Sequence, residues 1–241
     1  AATTDNDTAG FTVVQSGGST SVAETGSTDT FTVVLDAQPT SDVVISVTSG
    51  DTGEATVSTG TLTFTSGNWN SAQTVTVTGV DDSLVDGSQT TVATISVVDA
   101  SSDDDFDGIA NQTVSITTTN DDTAGFTVAI SGGSTSVAES GSTDTFTVVL
   151  NAQPASNVVI SVTSGDTGEA TVSPGTLTFT SGNWNSAQTV TVTGVDDSLV
   201  DGSQTTAATI SVVDASSDDN FDGVANQTTN IETTDNDSVG F

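Results

Sequence analysis

The sequence predicts an all-β protein built from two tandem β-sandwich domains, and three observations carry that prediction. Apolar and polar residues alternate at period two, as in Phe31-Thr32-Val33-Val34-Leu35 and Thr74-Val75-Thr76-Val77-Thr78, the pattern of half-buried strands. Turns rich in Gly, Asp, Ser and Asn separate these runs, and no helical periodicity intervenes. The whole pattern is also written twice. FTVVQSGGSTSVAETGSTDTFTVVLDAQP begins at Phe11 and FTVAISGGSTSVAESGSTDTFTVVLNAQP at Phe126, an offset of 115 that returns Trp69 as Trp184. About 98 of the 115 paired positions are identical. A repeat of that length is domain-sized rather than solenoid-sized.

In the first repeat the expected strands are 10–15 with 19–24, 29–36, 42–48, 54–65 (broken at Ser58 to Gly60), 73–79, 90–98 and 112–119. Seven or so strands in a unit of this size indicate immunoglobulin-like architecture. The apolar residues are mostly Val, Ile and Phe, Thr is abundant, and Pro occurs only three times, a mixture that favours strands. Only 33% of residues are hydrophobic, a level compatible with disorder when charge is one-sided. The acids fall between the apolar runs, however, so the reading is folded domains with acidic loops.

The junctions repeat as well. DNDTAGF (5–11), NDDTAGF (120–126) and DNDSVGF (235–241) are variants of one sequence. The expected organisation is a tail of a preceding repeat over 1–10, a sandwich over 11–122, a second over 123–237, and the start of a following repeat over 238–241. The chain then reads as an excerpt from a longer tandem array.

Charge excludes several functions. The chain has 32 carboxylates, no Lys, Arg or His, and a formal charge of −32. Such a chain repels a phosphate backbone, which leaves nucleic acid without a binding surface. No run approaches the roughly 20 apolar residues that span a bilayer, so membrane insertion is not expected. Without Cys or His the usual zinc, haem and iron–sulfur ligand sets are missing, as are thiol nucleophiles and His bases. What remains is oxygen chemistry, which suits a hard cation, above all calcium (Ca2+).

Sandwich connectivity says where the acids gather. The loops after the first, third and fifth strands and the end of the last strand share one pole. That pole collects Glu24, Asp51, Glu54, Asp81, Asp82, Asp86 and the run Asn120-Asp121-Asp122. The opposite pole carries Asp103-Asp104-Asp105-Phe106-Asp107. Two like charges about 4 Å apart repel by roughly 4 kcal/mol at an effective dielectric near 20. With no cation in the chain, the neutraliser comes from solution. The same acids also fit a solvated, salt-screened surface, and both readings stand at this level.

The run Gly60-Thr61-Leu62-Thr63-Phe64, then Gln73 through Gly87 with Asp81-Asp82-Ser83-Leu84-Val85-Asp86, closing on Asn120-Asp121-Asp122, resembles Calx-beta domains. It is similar above all to the Calx-beta-like repeats of very large bacterial surface proteins, over both units almost end to end. The resemblance implies a sandwich that binds calcium at one pole. Carried over by motif, the implied ligands are Glu24, Asp81, Asp82, Asp86, Asn120, Asp121 and Asp122 in the first repeat. In the second they are Glu139, Asp196, Asp197, Asp201, Asp235, Asn236 and Asp237. The chain departs from the family at Gly87-Ser88-Gln89, where two further acids are usual.

Trp69 and Trp184 read as lids on the core rather than sugar platforms, and Phe106 and Phe221 as plugs at the open end of each sandwich. Two carboxylates serve glycoside hydrolysis only across a cleft, and nothing in the sequence builds one, so no enzyme activity is expected. The expectation is a structural extender of an extracellular, cell-surface microbial protein of adhesin type, stiffened by calcium. Its partners would be neighbouring repeats of the same chain. The alternative is a self-assembling subunit of a surface layer or extracellular filament, joined through its exposed first strand.

Overall fold

A computed structural model describes residues 6–240. The first five residues of the expected N-terminal tail, and Phe241, lie outside the described residues. The chain forms two compact units, one running to Asp82 and resuming over Gly87–Asp121, the other taking Ser83–Asp86 and everything from Asp122. Each is a two-sheet sandwich of nine strands.

In the first unit the strands are β1 (Phe11–Gln15), β2 (Thr20–Ala23), β3 (Thr28–Leu35), β4 (Val43–Ser49), β5 (Ala55–Val57), β6 (Thr61–Phe64), β7 (Gln73–Gly79), β8 (Gln89–Val97) and β9 (Gln112–Thr119). One sheet runs β1-β3-β7-β5 and the other β2-β9-β8-β4-β6. All neighbours are antiparallel except β2 and β9, which run parallel from Thr20↔Ile116 to Ala23↔Thr119. The second unit repeats the plan with β10 (Phe126–Ile130), β11 (Thr135–Ala138), β12 (Thr143–Leu150), β13 (Val158–Ser164), β14 (Ala170–Ser173), β15 (Thr176–Phe179), β16 (Gln188–Gly194), β17 (Gln204–Val212) and β18 (Gln227–Thr234). Its sheets are β10-β12-β16-β14 and β11-β18-β17-β13-β15.

The two strand breaks seen in the sequence are where the chain changes sheets. Between β1 and β2 it turns through Ser16–Gly18, with Gly17 at φ 64° and Gly18 at φ 86°. Side chains with a Cβ rarely adopt those values, so the glycines make the crossing cheap. Between β5 and β6 the break at Ser58 to Gly60 does the same. Both edges of the sandwich are thereby stitched by one chain segment each.

Alternation becomes burial directly. Phe31, Val33 and Leu35 of β3, Val43, Ile45 and Val47 of β4, and Val75 and Val77 of β7 face inward and are buried. Phe106 closes one end of this core, with Trp69 packed against it, as expected. Phe221 and Trp184 do the same in the second unit. Fully burying one such apolar side chain is worth about 1.5–3 kcal/mol, and the cores are assembled almost wholly from Val, Ile, Leu and Phe.

Candidate metal centre

The second unit shows how the fold gathers acids. Strands β11 and β18 are parallel neighbours, Thr135↔Ile231 to Ala138↔Thr234, so the residues that follow them emerge side by side. Glu139 N–H donates to Thr234 O at 3.1 Å, extending the ladder by one step. This delivers Glu139 beside the exit segment Asp235-Asn236-Asp237. Strand β16 ends at Gly194, and Asp197 follows three residues on. Carboxylate oxygens of Glu139, Asp197 and Asp237 all lie within 4.8 Å of one another.

The three acids differ in surroundings. Glu139 is only 1% exposed and accepts one hydrogen bond, from Asn236 N–H at 3.2 Å. That bond favours its charged form, but burial together with Asp235, Asp197 and Asp201 outweighs it and pushes the carboxyl above its ordinary value. Asp237 is pushed up by burial, then by Asp235, Asp196, Asp197 and Asp201, and its Oδ2 is buried with no hydrogen-bond donor. Asp197 Oδ1 accepts from Leu199 N–H at 2.6 Å. Carboxylates held upward in pKa by burial and one another are groups in need of positive charge, and the chain has none to give.

The other named positions of this unit play different parts. Asp235 spends its oxygens on backbone, Oδ2 accepting from Gly202 N–H at 2.8 Å and Oδ1 from Asp237 N–H at 2.6 Å, and those bonds hold it below its ordinary value. It shapes the turn that aims Asp237. Asp196 is exposed and accepts from Asn236 Nδ2 at 3.1 Å. Asp201 is exposed on the loop before β17.

Glu169 was not among the residues singled out from the sequence. Burial pushes it up, followed by Asp201, Asp166, Asp197 and Glu139, and its Oε2 is buried without a donor. It stands at the end of a turn closed by Gly168 N–H to Asp166 Oδ1 at 2.8 Å, and its carbonyl accepts from Val195 N–H at 2.9 Å. That long-range bond ties it to the strand end that leads to Asp197.

In the first unit Glu24 is equally buried, 1% exposed, and accepts from Asp121 N–H at 3.3 Å. A carboxylate oxygen of exposed Asp82 comes within 4.8 Å of one on Glu24. Asp81 and Asp121 are exposed, Asn120 is half-buried, and Asp86 and Asp122 belong to the second compact unit.

The opposite pole holds a different kind of acid. Asp103 is buried, and its Oδ2 accepts from Thr40 N–H, Thr40 Oγ1 and Ser41 N–H, each at 2.7 Å. The Thr40 hydroxyl foremost, then the Ser41 and Asp105 amides, hold it at about 2. Its donors are supplied by the chain, so Asp103 is a structural clamp between the β3–β4 and β8–β9 loops.

No family model matches the chain, and no curated protein is similar to it in sequence. Among solved structures it is similar to the calcium binding domain CBD12 of CALX1.1, at 14% identity over 83% of this chain and 80% of that one, TM-score 0.34. It is also similar to domains 1–6 of the surface layer protein SbsC, at 16% identity over 98% of this chain and 30% of that one, TM-score 0.38. Domains 4 and 5 of SbsC align at 17% identity over 94% and 99%, TM-score 0.37. No helix among the described residues is long and apolar enough to cross a membrane.

Proposed function

We propose that this chain is a non-enzymatic structural module of an extracellular microbial surface protein, an extender whose carboxylate poles are filled by calcium. The observation that carries the reading is the convergence of Glu139, Asp197 and Asp237 within 4.8 Å, with an undonated buried oxygen on Asp237, in a chain without a cation. Calcium takes 6–8 oxygens, from carboxylates, carbonyls and water. The three carboxylates would supply the first of these, Asp235 would keep the exit turn in shape, and Glu169 would add negative potential behind them.

The mechanism is ordering of the exit segment. Asp237 sits on the chain leaving β18, while Glu139 and Asp197 sit on the body of the sandwich. One ion shared among them fastens that exit to the domain and removes its hinge freedom. Repeated along an array of such modules, the same bridge makes a flexible string stiffer.

Thermal unfolding of the chain in excess EGTA, then across a calcium series with magnesium as control, tests this. A calcium-selective rise in Tm supports the reading. Coincident curves reduce the poles to solvated surface charge and leave a plain acidic spacer.

A second reading, a self-assembling subunit of a layer or filament, is favoured by the edge strands. Val14 of β1 is 55% exposed and Ile130 of β10 is 39% exposed, each on the outermost strand of its four-stranded sheet. Light scattering with added calcium separates the readings, since strand pairing between copies yields growing polymers and the extender stays monodisperse.

A further inference from the structure

The two repeats are nearly one sequence, and several of their differences crowd into one place. A groove of about 500 Å³ opens on the second unit between the end of β10, the start of β11 and the first half of β18. Its origin is the crossing between sheets. β11 reaches β18 only from Ile231 onward, so Thr228 to Asn230 pair with β17 alone and a notch is left beside them. Four of the nine residues lining it, Ile130, Thr229, Asn230 and Glu232, differ from their partners in the first repeat, which are Gln15, Val114, Ser115 and Thr117. Along the whole repeat only about one position in seven differs.

Two of these exchanges strand polar atoms. In the first unit the Thr20 hydroxyl donates to Gln15 Oε1 at 3.0 Å. Ile130 stands where Gln15 would, and the hydroxyl of the equivalent Thr135 is buried without a partner. Val114 is a core residue, 1% exposed. Thr229 replaces it at 4% exposed, and its hydroxyl also has no partner. Threonine matches valine in shape, so the exchange adds only a hydroxyl that the core leaves unsatisfied. Stability does not account for it, because a buried polar group without a partner destabilises the fold. Both threonines line the groove. Asn230 and Glu232 are exposed on it beside Thr205 and Thr228, and Ile130, 39% exposed, supplies an apolar wall.

We propose that this groove binds a neutral saccharide. A sugar presents hydroxyls that both donate and accept, together with C–H faces. Glu232 accepts only, whereas the Asn230 amide and the threonine hydroxyls do both, and Ile130 meets a C–H face. An anionic ligand is opposed by Glu232 and by the charge of −32. A metal ion would find a single carboxylate among the lining residues, against the 6–8 oxygens that calcium takes. The volume falls within the roughly 300–1,000 Å³ of small-molecule sites. This inference goes beyond the extender reading and uses no residue of the Glu139 cluster.

Affinity electrophoresis of the 241-residue chain tests it, in EGTA, through native gels cast with dextran, mannan, laminarin, xylan or soluble starch. Alginate serves as the anionic control. At least one neutral gel is expected to retard the chain, and alginate is not. Asn230→Ser with Glu232→Thr gives the second unit the residues that the first repeat carries there. Both positions are exposed, and an unchanged circular dichroism spectrum and Tm would verify that the variant folds. Its dissociation constant, read from retardation against polysaccharide concentration, is expected to rise at least tenfold, the effect of one or more lost hydrogen bonds. The proposal is overturned if no neutral polysaccharide retards the chain, if alginate alone does, or if the double variant is retarded as wild type is. Because calcium is absent, failure here leaves the calcium reading standing, and the reverse also holds.

Discussion

Asn236 donates its backbone N–H to the buried carboxylate of Glu139 at 3.2 Å, and this bond joins those from Gly202 to Asp235 and from the Asn236 side chain to Asp196 in tying the chain's exit to the body of its sandwich. A buried carboxylate with a single donor is under-compensated. Burial and neighbouring acids outweigh that donor and leave the Glu139 carboxyl above its ordinary value.

Glu139→Gln is accordingly expected to act with opposite sign in two conditions. In EGTA it removes one of three crowded negative charges, so Tm of the second unit holds or rises. In saturating calcium it removes a ligand. An ion at about 100 times its dissociation constant adds roughly 2.7 kcal/mol, and most of that gain is expected to vanish. Differential scanning calorimetry of wild type and variant, with and without calcium, checks both halves. A variant that loses stability equally in both conditions would point to a packing role alone.

The pH dependence carries two signs. Glu139, Glu169 and Asp237 sit above their ordinary values, so the folded state takes up their protons before the unfolded chain does. In EGTA, stability therefore rises as pH falls through those raised values, and the rise ends near the ordinary carboxylate range. Asp103 is the reverse. Held at about 2 against an ordinary 3.8, it contributes above pH 3.8, and that contribution is lost as pH falls toward 2. Melting of the calcium-free chain is expected to peak in mildly acid buffer and decline below it. With calcium present the rising limb is expected to invert, because protons then displace the ion. Asp103→Asn should remove much of the acid-side decline.

Much of this fold was legible because strand periodicity is a local signal. In β3, β4 and β7 the burial pattern follows the apolar alternation residue by residue, and the glycines at 17 and 18 mark the break. What alternation does not encode is the partner. Nothing local says that β1 and β2, or β5 and β6, go to different sheets. The same limit applies to the site. Glu139, Asp197 and Asp237 stand at strand ends that sandwich connectivity brings together, so they were nameable. Glu169 sits inside a short turn; connectivity puts its repeat equivalent Glu54 at the acidic pole, but the bond from Val195 is what ties it to the strand end that leads to Asp197. Asp103 reads as one more acid in a solvated run, yet Thr40 and Ser41, more than 60 positions away in the sequence, bury it.

Phe106 and Phe221 each fill the end of a sandwich beside the clamp acid. Phe221 is fully buried and Phe106 2% exposed, and each follows its Asp by three residues through one tight turn, with Phe106 N–H donating to Asp103 O at 2.9 Å and Phe221 N–H to Asp218 O at 2.8 Å. Truncating either to Ala is expected to cost about 3–5 kcal/mol. Against the roughly 5–15 kcal/mol available to a domain, that is enough to split the calorimetric transition in two, with the variant unit melting first. A single shared transition for Phe106→Ala would mean that the two units unfold as one.

Gly194 closes β16 directly under the carbonyl of Ala138, and a Cβ built there would stand 2.1 Å from that oxygen. Gly79 repeats the relationship with Ala23, also at 2.1 Å. The obstacle is backbone on the edge strand β11, which is itself tied to β18, so it has little room to give. Gly194→Ala is therefore expected to destabilise the second unit by about 1–3 kcal/mol, the cost of overpacking. It should also weaken calcium binding, because Ala138 precedes Glu139 and a displaced strand end misaims that carboxylate. Gly202, by contrast, has open space around it and a left-handed φ of 76°, so Gly202→Ala is expected to cost backbone strain of about 1–2 kcal/mol with no steric clash. Calcium titration calorimetry on the two variants separates the mechanisms. If Gly194→Ala binds calcium as wild type does, Glu139 is aimed by its own hydrogen bond to Asn236 and not by the strand beneath it.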